Sequence, residues 1–200
     1  MDIRIKRAMM AAGIATAMAL PLSSQASDGT ITFTGAVTAN TCTVSVNASG
    51  ADATVALPTV SVSALTNAAT KTTAAGTFFN MAVSACTATH LDIGGTAAPT
   101  TVQIYFEAGP NVDEVTGGLI NTVSGSNVEV NLYNASAASI VGTQIMPGTP
   151  THQPTTLPVG AGGTQWFYAG YSTAGTNGLA GATAIAGAVN TSITYSIIYQ

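Results

Sequence analysis

Short runs in which apolar residues alternate with Thr, Ser and other small residues recur along the chain, and Gly, Pro and Asn cut one run from the next. Alternation with period 2 places one set of side chains on one face of an extended strand, whereas a helix needs apolar positions three and four apart. The cleanest run is 30–37, where Ile31, Phe33, Gly35 and Val37 alternate with Thr30, Thr32, Thr34 and Ala36. Further strands are predicted over 43–46, 54–62, 77–85, 101–107, 128–133, 165–172 and 191–199, separated by turn signals such as Gly94-Gly95, Gly109-Pro110, Gly117-Gly118 and Pro147-Gly148. Helical periodicity is scarce, and only a short helix over 63–69 is expected. Four prolines, Pro147, Pro150, Pro154 and Pro158, predict an irregular surface loop over 144–158, and the Ala/Gly/Thr-rich stretch 174–187 reads as a loop or weak strand. The pattern is all-β, and many short strands with a single cysteine pair point to a sandwich of immunoglobulin type.

Both ends of the chain carry a period-2 element. At the C-terminal end Ile193, Tyr195, Ile197 and Tyr199 share one face and the sequence stops at Gln200. At the other, glycine stands on the apolar face at Gly35, where it weakens a strand by entropy and commonly marks close approach to another surface. Alternation alone fits either strands of the domain's own sheet or strands that pair with other molecules.

What precedes the first run changes the picture. Arg4, Lys6 and Arg7 lead into an apolar stretch over 8–22 and then Ser24-Gln25-Ala26, the pattern of a secretory signal peptide cleaved after Ala26. The stretch is short for a membrane span of about 20 residues. Residues 1–26 are therefore expected to be removed, leaving 174 residues that start at Ser27 and fit one domain. Removal takes away three of four basic residues and leaves Lys71 against seven carboxylates, a net charge of −6. Nothing remains to neutralise phosphates, so nucleic acid and anionic lipid are poor partners. Charged residues make up only 6% of the chain, against roughly a quarter in an ordinary soluble domain. A surface built from Thr, Ser, Asn and Gln desolvates at lower cost than a charged one, which suits burial against copies of itself. Cys42 and Cys86 pass into a compartment that permits disulfides and are expected to bond.

Taken in order, these features resemble the chaperone-usher pilins of the type 1 fimbrial subunit family, over essentially the whole chain after the signal. The residues that carry the resemblance are Gly29-Thr30-Ile31-x-Phe33-x-Gly35-x-Val37 before Cys42-Thr43-Val44, a strand ending in Cys86, the spaced tyrosines Tyr168 and Tyr171, Gly187 at the fourteenth position from the end, and the penultimate Tyr199. The resemblance implies an immunoglobulin-like sandwich lacking its last strand, over 40–200, and an N-terminal donor-strand extension over 27–39. Gly187, Ile193, Tyr195, Ile197 and Tyr199 would then belong to the groove edge and to chaperone recognition, while Ile31, Phe33, Gly35 and Val37 fill the groove of a neighbour. Strand donation of this kind is a known mode of β-augmentation. The partners implied are other copies of the chain and related pilins, a periplasmic chaperone and an outer-membrane usher, and the place implied is a fimbrium on the cell surface.

Two other readings stay open. A minor adaptor pilin has the same features, and a carbohydrate-binding adhesin would use Trp166 or the tyrosines, although 174 residues leave no room for a separate lectin domain. Catalysis has little to stand on: no Gly-x-Ser-x-Gly or His-Glu-x-x-His motif is present, and Asp113-Glu114 sit in a turn-like context expected to be a solvated loop. His90 and His152 lie far apart outside any ligand-spaced motif, so neither a metal nor a cofactor is expected.

Overall fold

Two β-layers meet on Phe167, whose fully buried ring lies 5.3 Å from that of Phe79 and 5.4 Å, edge-on, from that of Phe106. In a computed structural model of the chain the residues described are 41–65, 75–87, 99–136, 140–173 and 183–200, all inside a compact unit over Ala36–Gln200. The strands are β1 Thr41–Val46, β2 Gly76–Thr87, β3 Thr101–Phe106, β4 Val128–Ser136, β5 Ile140–Ile145, β6 Leu157–Pro158, β7 Gly163–Thr173 and β8 Tyr195–Tyr199. One sheet has the order β1-β2-β7-β4-β5 and the other β6-β3-β8, with every pairing antiparallel. Helix, among the described residues, comprises α1 at Val62–Leu65, a 3-10 turn at Pro150–His152 and a 3-10 residue at Ala75.

Alternation sets the core. Val102, Ile104 and Phe106 of β3 face Phe79, Met81 and Val83 of β2, Val130 and Leu132 of β4, and Phe167 and Ala169 of β7. β4 departs from the simple rule, because Glu129, Asn131 and Tyr133 on its other face are buried too. Loop 113–118 folds back over them, held by the Val115 and Thr116 amides donating to Asp113 Oδ1 and by Thr116 Oγ1 donating to Glu129 Oε2 at 3.4 Å. The Asp113-Glu114 loop is thus solvated at Glu114 but half-buried at Asp113.

A bulge makes the disulfide. The register runs Thr41↔Thr87 and then Thr43↔Ser84, and Ala85 takes φ 50°, so two successive residues of β2 point outward before Cys86 turns in to bond Cys42.

Three expectations are corrected. The run 54–62 is no strand: its residues are extended without a ladder, and α1 begins at Val62, one residue before the helix expected over 63–69, whose last residues lie outside the described ones. The loop 144–158 contains the end of β5, the 3-10 turn and β6, and buries Gln153 and Pro154. Strand 191–199 shortens to β8, because the residues before Tyr195 have only scattered backbone bonds, Glu107 N to Thr194 O and Thr122 N to Asn190 O, beside side-chain contacts, and no continuous ladder.

Candidate functional site: an apolar groove beside the last strand

β8 is an edge. It pairs with β3 from Tyr195↔Phe106 to Tyr199↔Val102, and no described strand lies on its other side. Alternation continues upstream into 189–194, so that Val189, Ile193, Tyr195, Ile197 and Tyr199 all lean on the core, yet each is only half-buried. Half-burial of apolar residues on the inner face of a sandwich means that one layer of cover is thin there.

The approach to β8 is held by asparagines. Asn127 donates from Nδ2 to Thr183 O at 3.0 Å and accepts the Ile185 amide on Oδ1 at 2.8 Å. Asn121 does the same with Ala188 O and the Asn190 amide, both at 2.9 Å. Each side-chain amide stands in for the peptide group of a neighbouring strand, which satisfies the backbone without a ladder. Gly187 lies in this approach against Ser126, where an added Cβ would come within 3.1 Å of that side chain.

Opposite β8, residues 51–60 form a strap that no described backbone-to-backbone hydrogen bond ties to a strand. Val55 and Leu57 drop onto the core. Between strap and β8 lies a cavity of about 600 Å³, floored by Phe79, Met81, Phe106, Leu132 and Ala169 and walled by 51–57 and 189–193 with Tyr195. Its floor is apolar and its mouth is open to solvent, so water there would lie against hydrocarbon. The space therefore suits an apolar occupant, and the strand edge alongside supplies backbone donors and acceptors for an extended one.

One tyrosine hydroxyl spans the groove and a second ties the end of β8 to β1. Tyr195 donates to Ala51 O at 2.8 Å, and Tyr199 Oη lies 3.0 Å from Cys42 Sγ of the disulfide. Burial pushes both phenols above their ordinary value, with the Asp52 carboxylate adding to the shift at Tyr195. Among the described residues no three His, Cys, Asp or Glu lie close enough together to hold a metal ion. His152 is exposed.

Of the site residues expected from sequence, Tyr195, Ile197 and Tyr199 lie in β8, Ile193 lies two residues before it, and Gly187 lies further back in the approach. Ile31, Phe33, Gly35 and Val37, like His90, fall outside the described residues. Trp166 is half-buried, while Phe167 and Tyr168 are both fully buried, Phe167 between the sheets and Tyr168 under Phe78 and Tyr133 on the other face of the five-stranded sheet. Sequence reasoning missed the strap and the paired asparagines. Pro58 was the available signal for the first, since proline is excluded from central strands.

The architecture is that of an immunoglobulin-like sandwich whose smaller sheet, among the described residues, stops at an edge beside its own core. No family model matches the chain. It is 35% identical over 199 residues to the major fimbrial subunit SMF-1 of Stenotrophomonas maltophilia, covering 91% of this chain and 98% of that one. It is 31% identical to the F17 fimbrial protein of Escherichia coli, over 86% and 88% of the two chains. A solved chain from a chaperone-usher pilus, described in connection with rod uncoiling, superposes with a TM-score of 0.50 at 20% identity over 90% of this chain and 100% of that one. The chain belongs to the fimbrial subunit family and is a structural component of a cell-surface fimbria.

Proposed function

We propose that this chain is a shaft pilin that polymerises by donor-strand exchange, without catalysis or cofactor. Residues 1–26 direct export and are removed. Residues 27–39 are the donor extension and 40–200 the receiving domain. The donor places Ile31, Phe33, Gly35 and Val37 in the groove of the next subunit, while Ile193, Tyr195, Ile197 and Tyr199 border the groove that receives one. Before assembly a periplasmic chaperone occupies the same groove and an outer-membrane usher passes the subunit to the growing fibre, with Gly187 and Tyr199 in the recognised surface.

The observation that carries this reading is the apolar cavity lying against an unpaired strand edge with period-2 side chains. A groove of that kind requires a period-2 occupant, since a one-residue slip turns every apolar side chain outward. The run 30–37 has that period. Burying three large apolar side chains at about 1.5–3 kcal/mol each, with a backbone ladder added, offsets the ordering of a short free segment. A contact between one end of a molecule and a different surface of the next does not close on itself, so it builds a filament.

The test is to delete 27–39 and to supply that segment as a peptide. The shortened chain should stay monomeric in sedimentation, and the peptide should raise its melting temperature, whereas a peptide with one residue removed between Phe33 and Gly35 should not. An intact chain that remains monomeric, with a melting temperature unmoved by the deletion and by the peptide, would sink the proposal.

A further inference from the structure

The strap is fastened by hydroxyl groups. Within 51–60, Ala56 O accepts from Thr77 Oγ1 at 2.8 Å, Pro58 O from Tyr171 Oη at 3.2 Å, and Ala51 O from Tyr195 Oη at 2.8 Å. Thr77 is on β2 and Tyr171 on β7, so both fasten the strap to the five-stranded sheet. Tyr195 alone of the three stands on β8, in the other sheet, and reaches across the cavity that its own ring helps to line.

From this geometry we infer that the Tyr195 hydroxyl is a latch on the groove: it joins the edge strand to the strap, and an entering strand breaks that bond before it can lie between them. The inference rests on the groove being a strand-binding site, as proposed above, and concerns how entry is controlled. The bond joins one donor to one carbonyl, and the strap has no ladder of its own to keep it in place, so opening is local and needs no loss of sheet. Once a strand is seated, its backbone groups take over both edges and the tyrosine bond is no longer required. The latch therefore weights the unoccupied state only. It slows entry and leaves departure unaffected, which prevents the open edge from accepting poorly matched strands.

Removing a bond present only before entry changes the association rate by the factor that the bond contributes. A neutral hydrogen bond accounts for roughly 3- to 10-fold. The test uses the full chain with Cys42–Cys86 oxidised, diluted until sedimentation shows it monomeric, and a fluorescent peptide of residues 27–39, with association followed by stopped flow and dissociation by competition. Tyr195→Phe keeps the ring and should raise the association rate about 3- to 10-fold with the dissociation rate unchanged. Thr77→Val, which releases the strap without touching β8, should leave the association rate near that of wild type. Hydrogen exchange at 51–53 should be faster in Tyr195→Phe than in wild type. If wild type binds the peptide but Tyr195→Phe associates no faster, or exchange at 51–53 is unchanged, the latch is refuted and the groove stands. Equal acceleration by Thr77→Val also refutes it, since general loosening of the strap would then be the cause. If neither wild type nor variant binds the peptide, the groove reading fails and the latch with it.

Discussion

Replacing Gln153 by leucine tests how β3, on which the groove-edge strand β8 hangs, is completed on its far side. β6 reaches only as far as Val102, because its pairs are Thr101↔Pro158 and Val102↔Leu157, and so the backbone of Phe106 on that side has no strand to meet. The buried side chain of Gln153 takes the strand's place: its Oε1 accepts the Phe106 amide at 2.9 Å, and its Nε2 donates to Phe106 O and to Met146 O, each at 3.2 Å. The consequences of Gln153→Leu are unequal. Phe106 O keeps the Gly148 amide at 2.8 Å, and Met146 O keeps the Thr149 amide at 3.1 Å. The Phe106 amide, on a residue only 2% exposed, is left without a partner. One orphaned buried amide costs about 1–3 kcal/mol, and the two lesser bonds bring the total to roughly 2–4 kcal/mol. For a domain of this size that corresponds to about 4–16 °C in melting temperature. Urea unfolding of the oxidised chain, with and without the 27–39 peptide, gives the number directly. Gln153→Glu separates hydrogen bonding from volume: ionised, it still accepts the amide but faces two carbonyl oxygens, so its deficit should shrink on acidification while that of Gln153→Leu does not. A Gln153→Leu chain within about 0.5 kcal/mol of wild type at equal denaturant slope would refute the account, that being the scatter of ordinary surface substitutions.

Glu129 supplies a pH test. Its carboxyl is held above its ordinary value of 4.5, chiefly by burial and then by the neighbouring Asp113 charge, with the Thr116 hydroxyl pulling the other way. An acid whose folded pKa is raised contributes stability that is complete below the unfolded pKa and is lost as pH rises through the folded one. Stability should therefore fall as pH climbs from about 4.5, and Glu129→Gln should flatten that part of the profile in pH-dependent urea unfolding; an unchanged slope would count against it. Exchanging Cys42 and Cys86 for serine opens a 44-residue separation. It should lower stability by roughly 4 kcal/mol on the chain-entropy account, and a loss under about 1 kcal/mol would show that the unfolded chain is already compact there. Gly170→Ala puts a Cβ 2.5 Å from the Tyr168 ring, which is buried and braced by Phe78 and Tyr133. Overpacking should cost about 1–3 kcal/mol, read as a lower melting temperature.

Six of the eight strands were legible because each carries its own pattern. Val102, Ile104 and Phe106 bury themselves at every second position, and the same alternation places Phe79, Met81 and Val83. β5 and β6 were not legible: β5 is carried past a register shift opposite Tyr133 and Ala135, and β6 is two residues long and ends in a proline, so neither displays a period. The failures at 54–62 and 191–194 have a different cause. Both segments alternate, and both lie extended over the core with apolar side chains inward, so the pattern was read correctly as backbone conformation. A strand needs in addition a partner backbone, and alternation carries no information about partners.

The functional content of the fold lies in that gap. Residues 51–57 and 189–193 border the same cavity from opposite sides, and neither runs in a ladder: hydroxyls fasten the strap, while asparagine side chains and the lone backbone bond from Thr122 N to Asn190 O hold the other side. Period-2 sequence without a ladder is what two strand edges look like when the strand between them belongs elsewhere. Side-chain fastenings can be exchanged one at a time, whereas a ladder is lost or made cooperatively. The sequence features that made 54–62 and 191–194 look like ordinary strands are thus the ones that suit them to become strands when an extended segment is laid between them. On that reading, amide protection in 54–60 and 189–194 should appear together on addition of the 27–39 peptide, and protection confined to one side would mean that the occupant pairs with a single edge.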